Sequence, residues 1–247
     1  MSLHIDVGGE KLPIRLALAA ALDDAWRRLA GPGTWWTGAE RIAIAAEVRN
    51  AATCPYCKTR KAALSPYGIG GEHRSLGVLS PEAVEAIHRI ATDASRITGR
   101  WVRGLADGPL GEERYVEIVA LVAIVTALDT FDAALGRPQR PLPEAKPGTP
   151  SRHRPVGAAR DLAFVATLAP ERVGPDDPNP YPLHGDKNIH RAVSLVPQSA
   201  IDFFDLDVEL YLKDHEIRDF ATEYRAISHA QIELIAGRAS ALNQCFY

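Results

Sequence analysis

Two cysteines separated by two residues, Cys54 and Cys57, are the strongest chemical signal in this sequence. Pro55 suits the first turn of a helix, so the pair is predicted to lie where a helix begins. The unpaired N–H groups and the dipole at a helix start favour a thiolate. Lys61, four residues after Cys57, lies on the same helical face, where a positive charge lowers the pKa of the thiol. The pattern indicates a reactive pair that cycles between dithiol and disulfide.

The same spacing permits two other interpretations. A CxxC pair also supplies half of a zinc site, but the chain has one such pair, and the distant Cys245 would need a histidine to complete four ligands. Free cysteines are also commonly small, buried apolar residues without chemistry. We therefore expect redox chemistry without a metal or cofactor, with a zinc site and an inert pair as the alternatives.

Two segments of the chain are similar at a constant offset of 191 residues. Residues 42–56 (IAIAAEVRNAATCPY) and residues 233–247 (ELIAGRASALNQCFY) share small residues, an asparagine near the end and Cys-x-Tyr. In the second segment, Glu233 stands twelve residues before Cys245. This self-similarity indicates an internal duplication.

A glutamate followed twelve residues later by Cys-x-Tyr, after an alanine-rich helix, resembles the alkylhydroperoxidase D-like group of the carboxymuconolactone decarboxylase family. The resemblance implies an all-α scaffold on which the second cysteine of Cys-x-x-Cys attacks a peroxide and the first resolves the product. Carried over to this chain, it makes Cys57 the peroxidatic thiol and Cys54 its resolving partner. The resemblance covers most of residues 35–136 and, more weakly, residues 187–247.

The first half departs from the family pattern at two positions. Lys61 stands where the family has a histidine, and Ile42 stands where it has a glutamate. Glu40 and Glu47, fourteen and seven residues before Cys54, lie near the same helical face, and either could substitute in the proton relay, with Glu47 the nearer; a solvated surface charge is the alternative for each. His73, in a glycine-rich loop sixteen residues after Cys57, could return to the thiol pair, but we expect an exposed loop side chain. His88 is predicted to be an ordinary helix side chain.

The second half keeps Glu233 and Cys245 as a remnant of the motif, but the sequence stops at Tyr247, one residue before the motif's second cysteine. Two explanations are open. The reading frame continues, through truncation or through a UGA codon meant as selenocysteine, or the second half is degenerate and is kept for packing. We expect the second site to be inactive in this form.

The elements that must position these residues are predicted to be helices. Apolar periodicity, caps and prolines predict helices over residues 14–30, from Thr37 towards Cys54, from Pro55 onward, over 80–91, 112–135 and 228–242, and a further helical stretch over 189–196. One short strand is predicted over 163–168. Six prolines between residues 138 and 155 indicate an extended connector. The predicted organisation is an all-α, alkylhydroperoxidase D-like fold with a first half (1–137), a connector (138–158) and a divergent second half (159–247).

Composition limits the partners. Lys and Arg number 28 against 31 Asp and Glu, so the chain lacks the basic field that nucleic acid requires. The longest apolar run is too short to span a bilayer, and three cysteines without a signal-like start favour a reducing cytoplasm. We predict a thiol-dependent peroxidase that needs a peroxide substrate and an external dithiol reductant, and the family implies a homo-oligomer. A non-catalytic oligomeric or small-molecule-binding relative, or a carboxymuconolactone decarboxylase-type enzyme, is the alternative.

Overall fold

The computed structural model describes residues 3–245, and these form a mostly helical fold with one two-stranded hairpin. This confirms the predicted all-α class. The strands are β1 (Leu3–Val7) and β2 (Glu10–Ile14). The helices are α1 (Leu16–Leu29), α2 (Gly38–Ala51), α3 (Pro55–Ala62), α4 (Pro81–Asp93), α5 (Gly99–Ala106), α6 (Glu112–Ala134), α7 (Tyr181–His184), α8 (Pro197–Leu210), α9 (Asp214–Ile217) and α10 (His229–Leu242).

Local caps fix where the main helices begin, as predicted. The Thr37 side chain accepts a hydrogen bond from the backbone of Glu40, whose carboxylate accepts one from the backbone of Thr37, and this capping box starts α2. Ser80 caps α4 in front of Pro81, through a bond from the backbone of Ala83. These caps determine the register of the two helices that later supply the site.

Helix α6 is the central helix, and α2 and α4 pack against it and against each other. Its buried apolar residues include Ile118, Leu121 and Val125, which pack with Ile44 of α2 and Ile87 of α4 in one core. The second half joins this core, since α8 packs on α1 and α6. The site therefore rests on a rigid three-helix platform.

Residues 138–158 contain no helix or strand, and they are docked on the end of α1 and on the segment that leads to α2. The backbone N–H of Lys146 donates to the carbonyl of Ala30 at 2.8 Å, and that of Arg152 donates to the carbonyl of Thr34 at 2.8 Å. The connector thus packs along the end of α1 and the approach to α2.

Two local predictions were wrong, and one hairpin was not predicted. The strand expected over 163–168 is only an isolated bridge between Ala159 and Thr167. The helical stretch over 189–196 is a single 3-10 turn at Asn188–Arg191 followed by turns. The hairpin β1–β2 was missed, although Gly8 and Gly9, which both have positive φ, form the tight turn that joins its alternating strands.

The two similar segments fall in two helices of equal length, α2 and α10. Both helices have 14 residues, both begin with a capping box, and every boundary of α10 lies 191 positions after that of α2. Their environments differ, because α2 is largely buried whereas α10 buries only His229 among its residues.

Within residues 3–245, no helix is both long and apolar enough to cross a bilayer.

Candidate active site

The two sulfur atoms meet at the start of α3, as the sequence predicts. Cys54 is the N-cap residue, Pro55 occupies the first turn, and Cys57 follows inside the helix. Both side chains are buried: Cys54 is 0% exposed and Cys57 is 4% exposed. The Cys57 Sγ lies 3.1 Å from Nδ1 of His88 and 3.4 Å from Nδ1 of His73, and the Cys54 Sγ lies 3.8 Å from that His73 atom.

His88 links Cys57 to Glu47. Its Nε2 lies 2.8 Å from Glu47 Oε1, and both side chains are almost completely buried. A carboxylate can only accept, so Nε2 carries the proton and Nδ1 is the atom that exchanges a proton with the thiol. Asn50 Nδ2 and the backbone N–H of Leu76 also donate to Glu47, at 2.8 Å and 3.0 Å. These bonds hold the relay Cys57–His88–Glu47 in one geometry.

His73 is anchored in the same way to a second carboxylate. Its Nε2 lies 2.7 Å from Glu85 Oε2, which leaves Nδ1 facing both sulfur atoms. Arg60 donates to both oxygens of Glu85, at 2.8 Å and 3.0 Å, and Trp101 Nε1 donates to Oε1 at 2.9 Å. Because Glu85 is held from three sides, the position of the His73 ring is fixed although it lies in a loop.

The loop after α3 folds back over the cysteines. Tyr56 donates its hydroxyl hydrogen to the carbonyl of Ile69 at 2.8 Å, and Asn50 donates to the carbonyl of Arg74 at 2.6 Å. Gly71 has a φ of +153°, and a Cβ there would meet the Tyr56 ring at 2.7 Å. This close approach requires glycine, and it brings His73 over the thiol pair.

The network stabilises thiolates paired with imidazolium rings. Burial opposes the charged form, but backbone N–H groups of Cys57 and Arg74 and the His73 ring lower the pKa of the Cys54 thiol to about 6. Burial acts in the same direction on Cys57, yet hydrogen bonds from His73 and His88 lower its pKa. Hydrogen bonds donated by the ring nitrogens that face the sulfur atoms thus favour the charged form of both thiols.

The histidines and carboxylates show the complementary shifts. Against the effect of burial, bonds to Cys57 and Glu85 raise the pKa of His73 to about 10, and bonds to Cys57 and Glu47 raise that of His88. Burial also opposes ionisation of Glu85, but His73 and Arg60 lower its pKa to about 2. His88 lowers the pKa of Glu47 in the same way. Positive and negative groups thus alternate through the cluster.

The predicted site residues have different outcomes in the structure. Cys54, Cys57 and Glu47 come together, and Glu47 is 1% exposed rather than solvated. Lys61 is exposed, and the rings beside Cys57 are those of His73 and His88, so these rings supply the charge that had been expected from the lysine.

The second-half remnant is not assembled in the same way. Glu233 accepts a hydrogen bond from the hydroxyl of Tyr211 at 2.5 Å, whereas Cys245 is exposed. Phe246 and Tyr247, which complete the repeated segment, lie outside the described residues.

The sequence interpretation missed the roles of His73 and His88. The prediction of an exposed His73 was wrong, since its side chain is 8% exposed and contacts both sulfur atoms. A signal for His88 was present: it shares the apolar stripe of α4 with Val84, Ile87 and Ala91, and a titratable group in such a stripe needs a buried partner. His73 had no comparable signal, because a long-range loop closure positions it.

The cluster offers two kinds of chemistry. A thiolate beside an anchored imidazole, with a second thiol in reach, can perform nucleophilic attack followed by disulfide formation. Two thiols and two imidazoles also form a donor set for a metal ion, since one ligand atom from each lies within 4.8 Å of the others.

Comparison with family models, with curated proteins and with solved structures finds no match to this chain.

Proposed function

We propose that this protein is a thiol-dependent peroxidase with an alkylhydroperoxidase D-like scaffold, in which Cys57 is the peroxidatic thiol and Cys54 the resolving one. The observation that carries the proposal is the position of the Cys57 sulfur, 3.1 Å and 3.4 Å from two histidine nitrogens whose rings are each anchored by a carboxylate. The helical class, the CxxC pair at a helix start and the matching α2 and α10 also support this scaffold.

In the first step, the Cys57 thiolate attacks one oxygen of the peroxide and breaks the O–O bond. The sulfur becomes a sulfenic acid, and the leaving oxygen departs as an alkoxide or hydroxide that needs a proton. His88, held by Glu47, supplies that proton from Nδ1, so the products are the sulfenic acid and an alcohol or water. Two electrons move from sulfur to oxygen.

In the second step, the Cys54 sulfur attacks the sulfenic sulfur of Cys57. The S–S bond forms and the S–O bond breaks, and the leaving hydroxide takes a proton from Nδ1 of His73, which faces both sulfur atoms, so that water leaves. The residues are i and i+3 across a helix start, and the reactive atoms of the cluster lie within 4.8 Å of one another, so the bond needs only small side-chain movement. An external dithiol then reduces the disulfide and restores the resting enzyme.

Cys57 rather than Cys54 is assigned the attack for two reasons. It is the one that contacts both histidines, including the one linked to Glu47, so a proton donor stands beside its leaving group. It also retains slight exposure, 4% against 0% for Cys54. The enclosed position favours small peroxides, with hydrogen peroxide as the first substrate to test.

Peroxide consumption by reduced, metal-free protein, with a dithiol as electron donor, tests the proposal. We expect Cys57→Ser to abolish turnover, whereas Cys54→Ser reacts once and accumulates a Cys57 sulfenic acid or a mixed disulfide detectable by mass spectrometry. Cys245→Ser is the matched control, because this exposed cysteine lies outside the cluster, and it retains wild-type turnover. Wild-type turnover by Cys57→Ser would refute the assignment, and so would an inactive wild-type protein with an intact dithiol.

A further inference from the structure

We propose that the dithiol form of this protein binds one zinc ion through Cys54, Cys57, His73 and His88, and that the bound ion blocks reaction with peroxide. Thiolate sulfur together with imidazole nitrogen is the donor set that zinc prefers, and four such ligands make a closed tetrahedral site. The zinc site itself is independent of peroxidase activity; only the block rests on the proposed function.

The spacing of the donor atoms fits a tetrahedral ion. With zinc–ligand bonds of about 2.0–2.3 Å, neighbouring donors of a tetrahedron lie about 3.3–3.8 Å apart. Three of the six donor–donor distances are 3.1, 3.4 and 3.8 Å, and all six are within 4.8 Å. The donor atoms therefore stand near the corners of the required tetrahedron, and the longest separation must shorten by at most about 1.5 Å for an ion to bind.

The orientation of both histidines is that of zinc ligands. Each ring presents Nδ1 to the sulfur atoms and donates a hydrogen bond from Nε2 to a carboxylate, Glu47 for His88 and Glu85 for His73. In metal sites, such a carboxylate fixes the ring and the tautomer and makes the free nitrogen a better donor. Two rings arranged independently in this way, from α4 and from the loop before it, are more than a redox pair requires.

Charge also favours a divalent ion. Two thiolates balance the two charges of zinc, so neutral imidazoles complete the set without excess charge. The four ligands come from the start of α3, the following loop and α4. An ion at their centre would therefore cross-link three segments and occupy the lone pair with which Cys57 attacks a peroxide.

Cobalt and zinc titrations of the reduced full-length chain under anaerobic conditions provide the test. We expect one equivalent of Co²⁺ to give intense visible bands of tetrahedral cobalt and a thiolate charge-transfer band, both lost on adding Zn²⁺. Cys54→Ser and His73→Gln remove these bands, while Cys245→Ser keeps them. Glu85→Gln lowers zinc affinity about 10- to 100-fold because it frees the His73 ring.

Weak octahedral cobalt bands in the wild-type protein would overturn the zinc site, and this test does not depend on the folding of any variant. Unchanged tetrahedral bands in folded Cys54→Ser and His73→Gln, with circular dichroism as the check, would overturn it as well.

Peroxide consumption is measured separately, with and without one equivalent of Zn²⁺. We expect at least a tenfold loss that a chelator reverses. Binding without any loss overturns the block, whereas an inactive metal-free protein contradicts only the proposed function and leaves the cobalt result valid.

Discussion

Glu47→Gln tests whether the reaction with peroxide needs the relay Cys57–His88–Glu47 or only the two thiols. Glu47 is buried and acts through His88, so the substitution keeps the shape of the side chain but removes its charge and one of its two acceptor oxygens. The carboxylate accepts three hydrogen bonds, from His88 and Asn50 on Oε1 and from the backbone of Leu76 on Oε2. A glutamine has one acceptor oxygen, so at least one donor must face an NH₂ group.

The expected magnitudes follow from that geometry. If the amide oxygen takes the Oε1 position, the Leu76 N–H loses its acceptor, at a cost of about 1–3 kcal/mol in the free energy of unfolding. The bonds from His88 and Asn50 then survive, but they are no longer charge-assisted. The His88 imidazolium loses its counter-charge, so the ring is less able to act as the general acid. General acid catalysis contributes a factor of about 10²–10⁴ in rate. We expect peroxide reduction to slow by about 10²-fold or more.

Two reagents distinguish the relay from thiol reactivity alone. Reaction of Cys57 with a peroxide needs a proton for the leaving oxygen, whereas alkylation by iodoacetamide releases iodide, which needs none. Glu47→Gln should therefore slow the peroxide reaction far more than the alkylation, both measured by stopped-flow mixing and mass spectrometry. Glu40→Gln on the same helix is the matched control, because glutamine also serves in the capping box with Thr37. Equal slowing of both reactions, or an unchanged peroxide rate, would refute the role of Glu47.

Three further predictions concern the scaffold. Gly71→Ala places a Cβ against the Tyr56 ring at a strained φ, and it should cost about 1–3 kcal/mol of stability and lower peroxide turnover; wild-type turnover in a folded variant would contradict the loop closure. Leu128→Ala should cost about 2–5 kcal/mol in chemical denaturation because this α6 side chain is fully buried, and a loss below 1 kcal/mol would contradict its packing. Burial raises the pKa of Glu117 to about 7, above its ordinary 4.5, so its protonated form stabilises the fold at low pH. That stability, about 3 kcal/mol, is lost as pH rises from about 4.5 to about 7, and Glu117→Gln should flatten the pH dependence of the unfolding free energy over that range, which an unchanged slope would disprove.

The parts of the site that depend on local sequence could be predicted. Pro55 and the cap positions act within one turn, so they place Cys54 and Cys57 at a helix start whatever the rest of the chain does. Glu47 was also selected by helical spacing, but α2 ends at Ala51 and Cys54 caps α3, so the carboxylate reaches Cys57 only through His88. Only the position of the cysteines followed from the geometry of a single helix.

The histidines could not be placed by the same reasoning. His88 lies 31 residues after Cys57 and meets it only because α4 packs beside α2 and α3. His73 depends on a loop held by Tyr56 and Asn50, whose partners are backbone carbonyls and leave no pattern in the side chains. Long-range packing determines such contacts, and no helical period encodes it.

Charge explains how one buried cluster can support both redox chemistry and metal binding. Glu47, Glu85 and Arg60 together contribute one net negative charge. The two cysteines and two histidines leave this net charge unchanged in four states. In the reduced protein they are either two neutral thiols beside two neutral rings or two thiolates beside two imidazolium rings. The other two states are a disulfide beside neutral rings and two thiolates bound to one divalent ion. Because burial penalises any change of net charge, the states that keep it constant are those the fold can exchange most easily.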